Sequence, residues 1–104
     1  GGRQLDHTQA TINVLPEIVE AVDGQAEIII DGGFSRGTDI IKALALGANV
    51  VAMGRTMLWG LAVGGAAGVD RTIQLVREEL ATSLALCGQT SVRGLTQSLV
   101  CRGD

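Results

Sequence analysis

Two short apolar runs, residues 28–30 and 50–53, each end abruptly in glycine beside a charged residue. Asp31-Gly32-Gly33 follows the first and Gly54-Arg55 follows the second. Runs this apolar and this short have no polar face for solvent, so they read as strands buried on both faces, as in parallel sheets. Between them, Thr38 to Leu46 carries Ile40, Ile41 and Leu44 and stops at Gly47, which predicts a helix. The resulting order is strand, glycine turn, helix, strand, glycine turn, an α/β pattern.

Such turns suit anions. Glycine lets the backbone approach a ligand with no Cβ in the way. The helix that follows is expected to offer unpaired N–H groups and the positive end of its dipole. Two turns at the same ends of neighbouring parallel strands can converge on one phosphate, as they do after strands seven and eight of many (β/α)8 barrels.

The chain has 104 residues, 46% hydrophobic, with a formal net charge of −3. That composition is globular, and the acidic balance gives no electrostatic case for nucleic acid or an anionic membrane surface. Aromatic content of 2% also removes the stacking platforms that single-stranded nucleic acid needs. No apolar run approaches the roughly 18–20 residues of a membrane span. Cys87 and Cys101 match no metal spacing, so they read as reduced thiols of a cytoplasmic protein. At about 31 residues per βα unit, 104 residues hold about three units of a barrel. Gly1-Gly2-Arg3-Gln4 reads as a loop already in progress, so the chain is expected to be the C-terminal part of something larger.

In order, residues 1–7 resemble an active-site loop, with Arg3, Asp6 and His7. Thr8 to Val22 is amphipathic, and Pro16 is expected to divide it or to start a second helix. Strands are expected over about 26–31 and 49–53. A short apolar helix follows over 56–63. Gly64, Gly65 and Gly68 then loosen the backbone ahead of a long helix over 69–86, with an apolar stripe at 69, 73, 76, 80 and 84. One more helical turn is expected near 91–95.

These motifs resemble the C-terminal portion of the FMN-dependent α-hydroxy acid dehydrogenases and oxidases, the family of glycolate oxidase, flavin lactate dehydrogenase and oxidase, and mandelate dehydrogenase. Gly-Gly-Arg-Gln-Leu-Asp at 1–6, Asp-Gly-Gly-x-x-Arg-Gly-Thr-Asp at 31–39, Lys-Ala-Leu-Ala-Leu-Gly-Ala at 42–48 and Gly-Arg at 54–55 keep the family's order and spacing. The resemblance implies an α/β fold, the C-terminal portion of a (β/α)8 TIM barrel from the end of strand six to helix eight, within one barrel domain. It implies FMN as cofactor, a small 2-hydroxy acid as substrate and a homo-oligomer, often a tetramer.

Residue by residue, the resemblance assigns Arg3 to the substrate carboxylate, a role suited to a bidentate donor. It assigns Asp31, Gly32 and Gly33 to the FMN ribityl chain and phosphate, and Gly54 and Arg55 to the same phosphate. Ser35 stands where the family often has arginine, so a hydroxyl replaces one ionic contact. The direction of Arg36 is left open. The family's catalytic histidine lies immediately before Gly-Gly-Arg, and the offset of His7 from Arg3 is wrong for that role. The complete protein is expected to oxidise a 2-hydroxy acid to a 2-oxo acid, and this chain alone is expected to be inactive.

Plainer roles exist for each residue. Arg3 and His7 could be solvated loop residues, Asp31 a turn cap and Arg55 a structural ion-pair partner. Met53, Met57 and Trp59 read as core or subunit-contact packing, and the terminal Arg-Gly-Asp carries no weight. The rival functions are another FMN or nucleotide barrel enzyme sharing the phosphate turns, and a truncated, non-catalytic product that associates through exposed sheet edges.

Overall fold

In the computed structural model, residues 4–101 and 103 are described. The apolar runs form two strands, β1 (Ile29–Ile30) and β2 (Val50–Val51), which pair in parallel with Ile29 opposite Val50 and Ile30 opposite Val51. Hydrogen bonds from Asn49 and Val50 N–H to the Ile28 carbonyl and from Ala52 N–H to the Ile30 carbonyl extend this ladder. The Asn49 side chain seals its end by accepting from Ile28 N–H over 2.8 Å. The strands are shorter than the sequence predicts because each has a single neighbour among the described residues, so only the central pairs meet.

Burial is also one-sided. Ile30 is 5% exposed and faces the helices, whereas Ile29 is 67% exposed on the opposite face. The runs are apolar on both faces, as expected of a parallel sheet, yet among the described residues one face is bare.

α1 (Thr11–Val22) packs on β1 and buries Leu15. It runs through Pro16 unbroken, against the expected division. Proline here removes one i→i−4 donor, and the surrounding turns hold the helix. Asp23, with φ 47°, ends it by donating its N–H to the Val19 carbonyl. α2 (Gly37–Ala45) crosses from the first glycine turn to β2. Its buried Ile41, Ala43 and Ala45 join Leu15, Ile30, Phe34 and Ala48 in the core.

α3 (Arg55–Leu86) is two helical arms, 55–63 and 66–86, joined through non-helical Gly64 and Gly65. Gly65 has φ 59°, which favours glycine. Gly68, expected to loosen the backbone, is helical and has a different task. A Cβ on Gly60 would stand 2.7 Å from the Gly68 carbonyl oxygen, so these glycines let the second arm fold back against the first. The predicted stripe on the second arm is only partly buried. The arm lies on α2, where a Cβ on Gly37 would stand 2.8 Å from the Glu79 carbonyl carbon and Leu80 Cα. Two 3-10 turns, Val92–Gly94 and Gln97–Leu99, follow; the first lies within the turn predicted near 91–95.

Candidate functional site

Because β1 and β2 are parallel, the turns that follow them leave the same edge of the sheet. The first, residues 31–35, is held from three sides. Thr11 Oγ1 donates to the Asp31 carbonyl over 2.6 Å. Phe34 is buried in the core. Ser35 and Arg36 donate their N–H groups to Asp39 Oδ2 at 3.2 and 3.0 Å. Gly32 and Gly33 have φ of 109° and 83°, a region that disfavours other residues. A Cβ on Gly32 would lie 2.9 Å from Thr11 Oγ1, whereas one on Gly33 or Gly54 would meet nothing within 4 Å. The open side of this edge is therefore the side of Gly33 and Gly54.

The two helix N-termini here differ. At α2, Ser35 and Arg36 N–H are taken by Asp39, and Gly37 N–H donates to Glu79 Oε2 over 2.7 Å. At that end the N–H groups of Ser35, Arg36, Gly37 and Asp39 are thus satisfied internally, that of Thr38 has no acceptor among the described residues, and two carboxylates sit on the positive end of the helix. At α3, the Gly54 carbonyl accepts from Met57 and Leu58. Among the described residues, the N–H groups of Gly54, Arg55 and Thr56 have no protein acceptor, nor do those of Gly32, Gly33 and Phe34. Arg55 is exposed and forms no ion pair among the described residues. Among the described residues, most of the amides without a protein acceptor at this edge belong to the first turn and the start of α3.

Arg36 turns away from the open side. Its Nε donates to Glu79 Oε1 over 2.7 Å, and its Nη2 donates to the same oxygen. The Arg36 hydrogen bond, then the Gly37 N–H, hold the Glu79 carboxyl below the usual carboxylate range. Lys42 lies 4.0 Å from Asp39 on the surface of α2. Among the described residues, Arg55 is left as the arginine at the open edge.

The other sequence candidates divide plainly. Arg3 lies outside the described residues. Asp31 is exposed at the end of β1, its carbonyl engaged by Thr11. His7 is exposed with φ 63°, as befits a loop residue. Met53 packs against the core, while Trp59 is 60% exposed and contributes nothing to the core of this chain. Cys87 and Cys101 are free and exposed, and the described residues hold no cluster able to ligate a metal. No helix among them is long and apolar enough to cross a membrane.

Sequence reading missed Glu79, Asp39 and Thr56. Asp39, three residues after Arg36, has the spacing of a capping residue and was open to discovery. Glu79 had no local signal because its partners are brought to it by the reversal at Gly64 and Gly65. Thr56, whose Oγ1 donates to the Phe34 carbonyl over 3.1 Å, had none either.

Two parallel strands joined through a helix, with glycine turns at one edge, define a partial α/β segment. The chain belongs to the FMN-dependent dehydrogenase family, whose profile matches residues 1–102. It is 54% identical over 100 residues to an L-lactate oxidase of Nostoc sp. and 50% identical to 2-hydroxyacid oxidase 1 of Homo sapiens. Each alignment covers 96% of this chain and 27% of the relative. Among solved structures, an active mutant of (S)-mandelate dehydrogenase matches with a TM-score of 0.88 at 40% identity, over 95% of this chain and 28% of that one. A double mutant of flavocytochrome b2 with sulfite bound gives 0.88 at 40% identity, over 94% and 26%. The fold thus matches part of the TIM-barrel structures of FMN-dependent oxidases, and the chain spans about a quarter of the length of the relatives it matches.

Proposed function

We propose that this chain is the C-terminal part of a (β/α)8 barrel, from the end of strand six through helix eight. In the complete protein that barrel oxidises an L-2-hydroxy acid to a 2-oxo acid with FMN. The observation that carries this reading is the shared sheet edge. The turns after both strands leave that edge, the N–H groups of Gly32–Phe34 and Gly54–Thr56 have no acceptor among the described residues, and Arg55 is exposed. Six amides and a guanidinium suit a phosphate dianion, and the open space above Gly33 and Gly54 is what a closely approaching phosphate requires.

Within this reading Gly32, Gly33, Gly54 and Arg55 hold the phosphate. Asp31 accepts from the ribityl hydroxyls, and Ser35 supplies a hydroxyl at the rim. Arg3 orients the substrate carboxylate. FMN, when bound, supplies the two-electron acceptor. The proton on the substrate needs a base from the rest of the barrel, which is why the chain alone is expected to be inactive. The substrate class is supported by the relatives, named for lactate, glycolate, mandelate and 2-hydroxyacids. The bare Ile29–Val50 face supports burial of this segment by further barrel units. A homo-oligomer, a tetramer as the family often forms, gives the exposed Trp59 a subunit contact. The two free thiols suit a reducing, cytoplasmic setting.

The test is anaerobic addition of glycolate or L-lactate to the complete protein. Bleaching of the oxidised flavin absorbance is expected. A flavoprotein that neither substrate, nor another 2-hydroxy acid, bleaches is a different FMN barrel enzyme. A protein that retains no flavin is a non-catalytic product.

A further inference from the structure

Thr56 is the second residue of α3, so it sits within the group of open amides at that helix's start. Its hydroxyl reaches across to the other turn and donates to the Phe34 carbonyl over 3.1 Å. The acceptor end is rigid. The Phe34 side chain is buried in the core, and the next residue, Ser35, is tied by its N–H to Asp39. The donor end is rigid as well, because Thr56 is branched at Cβ and anchored in a helical turn begun by the Met57 and Leu58 bonds to Gly54. Among the described residues this is the side-chain hydrogen bond that joins the first glycine turn to the start of α3.

We infer that Thr56 is a positioning residue for the cofactor phosphate. It clamps the amides of Gly32–Phe34 and those of Gly54–Thr56 at one separation, so that a single phosphate accepts from both. The Thr56–Phe34 bond borders a cleft that Arg36, Thr72 and Glu79 also line, away from the open glycine edge, and there Arg36 is engaged by Glu79. With Arg36 withheld, alignment of the two turns matters more here than it would with a second cation at the phosphate. The clamp rests on the reading that FMN phosphate binds at this edge. It adds a residue that acts through the backbone of another and has no contact of its own with the reacting atoms.

The experiment is made on the complete protein, stripped of flavin and titrated separately with FMN and riboflavin while flavin fluorescence is followed. Thr56→Val keeps the shape and the Cβ branch but removes the donor. It is expected to weaken FMN about fivefold, the value of one neutral hydrogen bond, and to leave riboflavin unchanged. Thr56→Ser restores the donor and is expected to recover most of the FMN affinity. Equal FMN affinity in Thr56→Val and the unmodified protein overturns the clamp. Equal weakening of FMN and riboflavin also overturns it, since that marks a general structural role. If Thr56→Val does not yield folded protein, Thr56→Ala takes the same comparison with the same outcomes. An unmodified protein that binds FMN no better than riboflavin removes the phosphate site itself, a failure visible before any variant is made.

Discussion

Glu79 joins two elements at once: one carboxylate oxygen accepts from the Arg36 guanidinium and the other from Gly37 N–H. Arg36 precedes α2 and Glu79 stands on the second arm of α3, so this carboxylate brings the two helices together and closes the N-terminus of α2. Its pKa is depressed, first by the Arg36 hydrogen bond and then by the Gly37 N–H.

A depressed carboxylate pKa fixes the sign of a pH effect. The unfolded-state Glu pKa is about 4.3. The stabilisation is fully present above that value and is lost as pH falls through the lower folded-state pKa. Glu79→Gln should therefore lower stability at neutral pH and flatten the acid limb. Denaturant midpoints of both proteins between about pH 7 and about pH 3 check this, the two curves converging at the acid end.

Gly37 makes a steric prediction. Its added Cβ would press on the Glu79–Leu80 backbone, which has no flexible end to yield. Gly37→Ala is expected to destabilise by about 1–3 kcal/mol through overpacking, despite the better helix propensity of alanine. Thermal unfolding of the apo-protein reads this without reference to catalysis.

Arg55 and Ser35 predict opposite changes in cofactor affinity. Arg55→Ala should weaken FMN about tenfold and reduce the salt dependence of binding, with riboflavin affinity unchanged. Ser35→Arg places a second cation beside the phosphate and should tighten FMN by a similar factor. Fluorescence titration at two ionic strengths measures both.

Arg3 is proposed as the carboxylate partner of the substrate. Arg3→Lys keeps the charge and loses the bidentate fork. It should raise KM for the 2-hydroxy acid with FMN content unchanged, and stopped-flow reduction across substrate concentrations separates this from a loss of cofactor.

Local pattern carried much of the fold. Apolar period, terminal glycines and the two charged turns located β1, α2, β2 and both arms of α3 within a few residues, because each signal lies within its own element. Pro16 misled, since a proline rule applied without context overstates one missing bond. The burial of residues 28–30 on both faces was legible as chemistry and is not met here, because the layer that would cover Ile29 is not among the described residues. At the candidate site, the motif singled out Gly32, Gly33, Gly54 and Arg55, whose phosphate role is the one proposed above. What was not legible is which helix keeps its amides open. That depends on Glu79, far away in the chain, and on Gly60 and Gly68 permitting the reversal that brings it close.

The doubled-back course of α3 therefore gives one helix two opposed duties. Its opening turn is left bare, while a carboxylate on its returning arm plugs the neighbouring helix. On the proposed reading, an anion at this rim meets open amides at the start of α3 and a carboxylate beside the start of α2, an asymmetry set by the reversal that the glycines of α3 permit.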